Sequence, residues 1–259
     1  SNGQFINTTG IYHNYYMVDG IVDQSISGAI KYKDEYYKVD AGEVDTSYTG
    51  SWTYNGTTYY LINGHTNKNM NGPVKNKGYW YYVKNGLVIN KNTVVYFNGD
   101  WYYIHNGKLD KDYTGLVDYN GKTYYIVDGV VNHSCNGLTY INGEWCYIVN
   151  GVLDTDYNNL ILYNGTWYYV ENGKINWHYT NLVQYYGTWY YVENGKINWN
   201  KNTLCQVNGH GTWYYVENGK INWNYQGLTY FNNEWYYIHN GVHQTSYSSL
   251  VLYNGTWYY

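Results

Sequence analysis

A short internal repeat runs through the whole chain of 259 residues. Its clearest mark is a Tyr-Tyr pair, or a close variant, that returns about every 22 residues. The second member of the pair falls at Tyr16, Tyr37, Tyr60, Tyr82, Tyr103, Tyr125, Tyr147, Tyr169, Tyr191, Tyr215, Tyr237 and Tyr259. The longest step contains the insertion Gly209-His210-Gly211. Because units in such an array bury their apolar faces only against neighbours, we predict a single repeat array over residues 1–259, with the last unit cut short.

Two Asn-Gly turns divide each unit into short strands. In the most regular unit, Asn164-Gly165 and Asn172-Gly173 separate segments rich in Tyr, Trp, Ile, Leu and Val. Asn-Gly favours a type I′ turn, which needs positive φ at both central residues. The pattern predicts strands at Leu160–Tyr163, Thr166–Glu171 and Lys174–Asn176, and no segment has a helical period. We therefore predict an all-β fold, a β-solenoid of about twelve stacked hairpin repeats of 22 residues, with almost no helix.

Strand alternation assigns the faces of the middle strand. Tyr168 and Val170 share one face, while Trp167 and Tyr169 share the other. The residue after the Tyr-Tyr pair is apolar in every unit that contains it except at Lys38, so this face is predicted to be core. The strand after the second turn should add Val88, Leu109, Val131, Leu153, Ile175, Ile197 and Ile221. The Trp face is either packing between units or a row of ligand platforms.

Composition narrows the class of partner. The chain is 22% aromatic and only 13% charged, with a net charge of −4, whereas ordinary domains are about 25% charged. An acidic chain of this kind is not a nucleic-acid binder held by phosphate contacts. No apolar segment reaches the roughly 18 residues of a membrane span, so no membrane insertion is expected. Neutral sugar suits these residues, since aromatic rings stack on sugar rings and Asn and Tyr bond to hydroxyls.

The sequence contains no arrangement that indicates catalysis. It has no nucleophile elbow, no phosphate-binding loop and no Cys/His pair at catalytic spacing. Asp110/Asp112 and Asp154/Asp156 are interpreted as solvated loop residues. His239 and His243 flank one turn, but no further ligand completes a zinc set. We therefore expect no enzyme activity, no catalytic residue, no metal and no cofactor.

Two of the three cysteines replace tyrosines close together. Cys146 stands in a Tyr-Tyr pair, and Cys135 stands where other units have a tyrosine after the second turn. If the two positions touch, their Cα atoms come within roughly 7 Å, the limit for a disulfide. A Cys135–Cys146 disulfide is predicted on this ground, while Cys205 has no evident partner.

The motif Gly-Leu-x-x-x-Asn-Gly-x-Trp-Tyr-Tyr-x-x-x-Asn-Gly resembles the cell-wall-binding repeat superfamily of Gram-positive bacteria. Residues 113–125 and 225–237 show it well, and the resemblance extends over essentially the whole chain. It implies a β-solenoid of stacked hairpins on a secreted or cell-surface protein, with ligands held between aromatic residues of successive units. Members include choline-binding modules, the glucan-binding repeats of glucansucrases and the C-terminal repeats of clostridial toxins. The resemblance therefore leaves the ligand open.

One position departs from the choline-binding pattern. Choline-binding repeats usually carry Trp directly after Thr-Gly, as one wall of an aromatic cage. Here that position holds Leu116, Leu138, Leu160, Leu182, Leu204, Leu228 and Leu250. A quaternary ammonium needs several aromatic faces, so cell-wall polysaccharide or α-glucan is the first hypothesis. Choline on teichoic acid is the second, and a passive stalk is the third.

Candidate platforms are the tryptophans before the Tyr-Tyr pair and a second group of three. The predicted ligand-binding residues are Trp167, Trp177, Trp189, Trp199, Trp213, Trp223, Trp235, Tyr169, Tyr191 and Tyr215. The first three units have Asn14, Glu35 and Thr58 before the pair, so sites should be weak or absent before about Gly72. Changing Trp177, Trp199 and Trp223 together to Ala should abolish retention on the polymer without unfolding the chain. The alternative is an aromatic ladder with a purely structural role.

Overall fold

The computed structural model describes residues 8–259, which form an all-β fold of tandem hairpins. The chain divides into two compact units, Ser1–Asn132 and His133–Tyr259. The only helix in the described part of the chain is a single 3₁₀ turn, Val207–Gly209. It lies at the insertion that lengthens one repeat and contains Asn208-Gly209, both with positive φ. The predicted fold class is therefore confirmed.

Within residues 8–132 the first unit holds six repeats, each with three strands. The first strands are Gly10–Tyr12, Gly28–Tyr32, Gly50–Tyr54, Asn71–Asn76, Thr93–Phe97 and Gly115–Tyr119. The second strands are Tyr15–Val18, Glu35–Asp40, Thr57–Ile62, Tyr79–Lys84, Asp100–His105 and Lys122–Val127. The third strands are Ile21–Val22, Glu43–Val44, His65–Thr66, Leu87–Val88, Lys108–Leu109 and Val130–Val131.

The second unit repeats the same order. The first strands are Gly137–Ile141, Asn159–Tyr163, Asn181–Tyr185, Thr203–Gln206, Gly227–Phe231 and Val251–Tyr253. The second strands are Glu144–Val149, Thr166–Glu171, Thr188–Glu193, Trp213–Glu217, Glu234–His239 and Thr256–Tyr258. The third strands are Val152–Leu153, Lys174–Ile175, Lys196–Ile197, Lys220–Ile221 and Val242–His243.

Both Asn-Gly turns have the predicted backbone. Asn164 and Gly165 have φ of 47° and 78°, and Asn172 and Gly173 have φ of 51° and 75°. Positive φ at both central residues is the type I′ geometry, whose twist matches that of the flanking strands. The turn at Asn164 places Trp167 opposite Leu162 in an antiparallel register. Turn chemistry therefore fixes which side chains share a face.

The third strand joins neighbouring repeats into a solenoid. Lys196 pairs with Glu193 of its own repeat and with Tyr168 of the preceding repeat. Tyr169 donates its backbone N–H to the carbonyl oxygen of Gly195 at 2.9 Å. The same double pairing recurs at Lys108–Leu109 and Lys220–Ile221, so these strands are hydrogen-bonded on both edges and leave no free edge there.

The core follows the predicted face. The residues after the Tyr-Tyr pair are at most 2% exposed at Leu61, Val83, Ile104, Ile126, Ile148, Val170, Val192, Val216 and Ile238. The third strands bury Val88, Val131, Leu153, Ile175, Ile197 and Ile221, and Leu109 is half-buried. Burying one such side chain contributes about 1.5–3 kcal/mol. The buried residues form successive clusters, each of which joins two adjacent repeats.

The second repeat has a different register from the one predicted. Val39 is 2% exposed and lies two residues before the second turn, where the other repeats have their core residue. Lys38 therefore takes the place of the second tyrosine, and Tyr36 takes the place of the tryptophan. The predicted anchor at Tyr37 and the assignment of Glu35 before the pair were wrong, because the turn rather than the Tyr-Tyr pair sets the register.

The second tyrosine of the pair packs inside its own repeat against a tyrosine ten residues later. The ring centroids lie 3.8–4.3 Å apart in the pairs Tyr103–Tyr113, Tyr147–Tyr157, Tyr169–Tyr179, Tyr215–Tyr225 and Tyr237–Tyr247. Aromatic pairs of this kind contribute about 0.5–1.5 kcal/mol beyond their burial. This face is therefore packed as well, which strand alternation alone left undecided.

In two repeats a lysine replaces one tyrosine of this pair. Lys38 replaces the first tyrosine of one pair, and Lys201 replaces the second tyrosine of another. Lys38 lies over the ring of Tyr48 at 4.8 Å, and Lys201 lies over the ring of Tyr191 at 5.1 Å. Each ammonium also binds a carboxylate, which is Asp45 for Lys38 and Glu193 for Lys201. A cation–π contact thus substitutes for ring stacking.

Tyr186 is the one bulky residue that occupies the first position of a hairpin turn in the second unit. Its φ is 44° and its side chain is 90% exposed. L-residues other than Gly, Asn and Asp lose roughly 1–2 kcal/mol in this region. We expect Tyr186→Asn to raise the free energy of unfolding by about 1 kcal/mol, measured by thermal and urea unfolding. The reverse change at the equivalent turn, Asn164→Tyr, serves as the control and should lower it; a loss of stability in Tyr186→Asn would contradict the prediction.

Candidate ligand-binding surface

The tryptophan before the Tyr-Tyr pair contacts an aromatic residue at the end of the next repeat's first strand. Ring centroids lie 4.9–5.7 Å apart in the pairs Trp101–Tyr119, Trp145–Tyr163, Trp167–Tyr185, Trp213–Phe231 and Trp235–Tyr253. The interplanar angles all fall between 57° and 65°. We call these five pairs the Trp row. Its members are half-buried, apart from the exposed Trp235, so the rings both join the repeats and reach solvent.

In each unit, one tryptophan of the Trp row also contacts a third aromatic ring. Trp101 also lies 6.1 Å from Tyr124, and Trp235 lies 5.7 Å from Tyr258. Both added rings are the first tyrosine of the next repeat's Tyr-Tyr pair. Successive hairpins thus present clusters of three aromatic rings, the arrangement expected of a site between repeats.

An exposed tyrosine flanks the Trp row across the hairpin in three repeats. The ring centroids are 5.2–5.3 Å apart in Tyr96–Trp101, Tyr140–Trp145 and Tyr230–Trp235, with interplanar angles of 53–55°. These three tyrosines, the outer tyrosines, are 56–59% exposed. The sequence interpretation missed them. The register of the first Asn-Gly turn was the available signal, because it places these residues directly opposite the tryptophan.

Three predicted site tyrosines lie in packed surroundings. Tyr169 and Tyr191 are buried and Tyr215 is half-buried. Tyr169 and Tyr215 stack on the tyrosine ten residues later, and Tyr191 lies beneath Lys201. Burial raises the pKa of each of the three phenols. Their ring faces are therefore occupied by the chain itself.

Trp189 and the 3₁₀ turn next to the insertion pack against the same group of buried residues. Trp189 packs on a cluster that contains Leu182 and Val216. Val207, in the 3₁₀ turn, packs on the same cluster at the sequence place where other repeats end their first strand with Tyr or Phe. Val207 thus stands where other repeats supply the aromatic partner of the tryptophan.

The remaining three predicted tryptophans share a separate setting. Trp177, Trp199 and Trp223 are 41–45% exposed. Each follows an asparagine that closes a tight turn; Asn176 accepts from the backbone N–H of His178 at 2.9 Å and donates to Glu171 at 2.7 Å. Asn198 and Asn222 make the same two contacts. A repeated polar frame therefore holds each of these rings at the surface.

The first unit has aromatic clusters that the sequence interpretation did not foresee. Trp52, on a first strand, lies 5.3 Å from Tyr54 and 5.7 Å from Tyr59, and Tyr59 lies 4.9 Å from Tyr36. Aromatic contacts therefore occur before Gly72 as well, although Thr58 stands at the usual tryptophan place; that ligand sites are weak or absent there stays a prediction. Further along, Trp80, Phe97 and Tyr102 line a cleft of about 220 Å³.

The leucine after Thr-Gly belongs to the core. Leu138, Leu160, Leu182, Leu204 and Leu228 are all buried and Leu116 is half-buried, whereas Leu250 in the last repeat is 56% exposed. A buried side chain at this place offers no wall to a ligand. Where choline-binding repeats usually carry a cage tryptophan, this chain therefore carries a leucine that packs in the core.

The acidic pairs and histidines have structural settings. Asp110 accepts from the backbone N–H of Asp112, and Asp154 from that of Asp156, each at 3.2 Å, so both close turns. His243 contacts the ring of Tyr236 at 5.0 Å. Within residues 8–259, no group of three or more His, Cys, Asp or Glu side chains is placed to hold a metal ion.

The predicted Cys135–Cys146 disulfide is not present. All three cysteines are free thiols in the structure. Cys146 is fully buried in the second strand, whereas the sulfur of Cys135 lies 3.2 Å from the hydroxyl oxygen of Thr139. Burial raises the pKa of the thiols of Cys146 and Cys205, which keeps both in the unreactive protonated form.

No helix in the part of the chain that the structure describes has the length and apolarity needed to cross a membrane.

Tandem hairpins with a repeated aromatic row define a repeat protein that offers many equivalent surface contacts. The sequence profile of the choline-binding repeat matches residues 69–89, 90–110, 112–132, 156–176, 179–198, 200–222 and 224–244. These segments span more than half of the chain. The chain therefore belongs to the choline-binding repeat family, within the superfamily that the sequence resembled.

Solved structures give similar chains, and a comparison with curated protein sequences gives no match. CbpJ from Streptococcus pneumoniae TIGR4 is 21% identical, with 98% of this chain and 99% of that chain covered and a TM-score of 0.40. Choline binding protein F from Streptococcus pneumoniae is 20% identical, with 89% and 98% covered and a TM-score of 0.27. An alternansucrase in complex with isomaltononaose is 20% identical, with 84% and 16% covered and a TM-score of 0.39.

Proposed function

We propose that this chain is a non-catalytic, secreted or surface-exposed module that binds carbohydrate, either cell-wall polysaccharide or α-glucan. The observation that carries the proposal is the Trp row, in which each tryptophan meets an aromatic ring of the next repeat at nearly constant distance and angle. Equivalent aromatic contacts that recur from repeat to repeat suit a polymer of recurring sugar units. The module then serves to hold its parent protein on a bacterial surface, where proteins of this family typically act.

The outer tyrosines and the Trp row supply the binding contacts in this proposal. Their exposed edges and faces accept the C–H faces of sugar rings, while the phenol hydroxyls bond to sugar hydroxyls. One aromatic contact contributes about 1 kcal/mol, so a single site that combines about four such contacts and hydrogen bonds binds at about millimolar level. Many sites along one polymer raise the retention through effective concentration. Tyr169, Tyr191 and Tyr215 support the scaffold and do not contact the ligand.

Choline is the second candidate, because the chain belongs to the choline-binding repeat family. The three-ring clusters around Trp101 and Trp235 offer several faces to a quaternary ammonium. The buried leucines after Thr-Gly argue for sugar, since they remove a wall from such a cage.

Retention on insoluble polymers tests the proposal. Purified chain is mixed with α-glucan and with Gram-positive cell walls, and the bound fraction is measured with and without free choline. Carbohydrate binding predicts retention that choline does not release; release by choline favours the second candidate. If the chain is retained on none of these polymers, the third hypothesis, a passive stalk that binds no ligand, would be favoured.

A matched pair of variants locates the site. Replacing the outer tyrosines Tyr96, Tyr140 and Tyr230 by Ser should lower retention at least about tenfold, since avidity multiplies the loss at each site. The control replaces Tyr12, Tyr15 and Tyr259, which are also exposed but lie outside the Trp row. Circular dichroism verifies that both fold. Equal retention of the two variants would remove the outer tyrosines from the site.

A further inference from the structure

The two hairpin turns of a repeat often contain the same dipeptide, Asn-Gly, in different surroundings. The first turn joins the first and second strands, and the second turn joins the second and third. We call six two-residue first turns the open turns: Asn55-Gly56, Asn98-Gly99, Asn120-Gly121, Asn142-Gly143, Asn164-Gly165 and Asn254-Gly255. We call seven second turns the closed turns: Asn63-Gly64, Asn85-Gly86, Asn150-Gly151, Asn172-Gly173, Asn194-Gly195, Asn218-Gly219 and Asn240-Gly241.

Exposure of the glycine separates the two sets. The asparagine is exposed in every open and closed turn, and its φ lies between 47° and 52° throughout. The glycine, by contrast, is exposed in all open turns and buried in all closed turns. The two sets thus share one local backbone conformation and differ in what surrounds the glycine.

Hydrogen bonding of the glycine N–H separates the same two sets. In each closed turn this group donates to a backbone carbonyl oxygen of the loop between repeats, at 2.9–3.2 Å. Gly173, for example, donates to Tyr157. Within residues 8–259, the glycine N–H of an open turn makes no hydrogen bond to the chain. Asn106-Gly107, a second turn with a buried glycine but no such bond in the described chain, belongs to neither set.

The glycine nitrogen is the nucleophile in the deamidation of Asn-Gly. After its proton passes to hydroxide, the nitrogen attacks Cγ of the asparagine side chain. The new N–C bond closes a succinimide ring, and the side-chain nitrogen leaves as ammonia. Water then opens the ring at either carbonyl. Asparagine and water thus become aspartate or isoaspartate and ammonium.

The surroundings of the closed turns oppose this reaction. A buried nitrogen that already donates a hydrogen bond must lose that bond before it can release its proton and turn toward the side chain. The bond joins the turn to the loop between repeats, so the junction has to open locally first. The open turns need no such opening, because their glycine is in solvent and its N–H is free of the chain.

We propose that the open turns are sites of spontaneous deamidation and that the junctions between repeats protect the closed turns. Full conversion adds six negative charges to a net charge of −4. Three open-turn asparagines stand three residues before a tryptophan of the Trp row, namely Asn98, Asn142 and Asn164. Isoaspartate adds a backbone atom to a two-residue loop whose length sets the hairpin register. The proposal does not depend on which ligand the Trp row binds.

Peptide mapping by mass spectrometry tests the proposal on the full folded chain. The protein is incubated at mildly alkaline pH in ¹⁸O-labelled water, so that conversion during incubation is distinguished from conversion during digestion. Open turns should convert at least about tenfold faster than closed turns, because closed turns react only after local opening. In urea the two sets should convert at equal rates. Equal rates in the folded chain would refute the proposal, and so would a difference that persists in urea, because local sequence would then explain it.

Two variants add a new Asn-Gly to each kind of turn. Tyr186→Asn places asparagine before Gly187, which is exposed and whose N–H makes no bond within the described chain. Ala41→Asn places it before Gly42, which is buried and donates to the carbonyl oxygen of Ile26 at 2.9 Å. The native φ values are 44° and 46°, so the two turns match in backbone conformation.

The new asparagine of Tyr186→Asn should convert as fast as Asn164, whereas that of Ala41→Asn should convert as slowly as Asn172. Circular dichroism verifies that both variants fold. Equal conversion at the two new sites would overturn the proposal. If either variant fails to fold, the native open and closed turns decide alone.

Discussion

Replacing Gly173 by alanine is expected to destabilise the protein by about 2–5 kcal/mol, whereas the same change at Gly165 costs only about 1–2 kcal/mol. Both glycines end an Asn-Gly turn of the same repeat, with φ of +75° and +78°. The left-handed backbone penalises alanine equally at the two positions. At Gly173, however, the added Cβ would lie 2.5 Å from the carbonyl oxygen of Asp154 in the preceding repeat, while at Gly165 nothing lies within 4 Å.

The loss should appear at the junction between repeats. The carbonyl oxygen of Gly173 accepts the backbone N–H of Tyr147 at 2.7 Å, so native-state hydrogen exchange of the Tyr147 amide should accelerate in Gly173→Ala. Thermal unfolding of the full chain gives the accompanying loss of stability. A second pair repeats the design, since a Cβ added at Gly195 would lie 2.6 Å from the carbonyl oxygen of Asn176, whereas one added at Gly187 would meet nothing within 4 Å. Equal effects of the two changes within either pair would contradict the prediction.

Raising the pH from 10 to 12 should unfold the second unit. Burial raises the pKa of Tyr157, Tyr179 and Tyr225 from 10.0 to about 12. The unfolded chain therefore releases these protons near pH 10 while the folded chain keeps them until about pH 12. Unfolding then becomes more favourable as the pH rises through this window. Because the phenols are partly exposed, we expect a loss on the order of 1 kcal/mol for each.

The three rings also explain why the charged form is disfavoured. Each stacks on the second tyrosine of its own repeat, and the hydroxyls of Tyr157 and Tyr225 donate to backbone carbonyl oxygens at 2.8 Å. A phenolate would lose the donated proton and remain half-buried.

Phenylalanine at the three positions provides the control. Replacing Tyr157, Tyr179 and Tyr225 together by Phe should move the alkaline unfolding midpoint to higher pH, although it removes hydrogen bonds worth about 1 kcal/mol each at neutral pH. Tryptophan fluorescence and circular dichroism between pH 9 and 12 measure both effects. An unchanged alkaline midpoint would show that these phenols do not drive the transition.

The candidate site was predictable only in part. The Trp row follows from tryptophans that the repeat marks directly, as Trp167 and Trp213 do. The outer tyrosines need the cross-strand register, which the Asn-Gly turn encodes but which the sequence interpretation did not apply to Tyr96 or Tyr140. The packing of Tyr169 on Tyr179 was not foreseen, because the second ring comes from a loop whose path depends on the stacking of repeats.

The strand register of the second repeat was also not predictable from the Tyr-Tyr pair alone. Tyr36 and Tyr37 imitate the pair that marks other repeats, so the sequence suggested Lys38 as a core position. The structure buries Val39 instead, because the turn at Ala41-Gly42 fixes the pairing. Lys38 then contacts the ring of Tyr48 and binds Asp45, which a charged residue in the apolar line would not permit.

The sequence by itself determined the hairpins, since positive φ at Asn-Gly and the alternation along strands are local properties of the chain. It therefore fixed the strands around Asn164-Gly165 and Asn172-Gly173 and the burial of Val170. Only the tertiary structure decided that these two identical dipeptides differ. Stacking brings the backbone of Asp154 against Gly173 and leaves Gly165 in solvent, because contact between repeats depends on how one hairpin lies on the next and is encoded in neither turn.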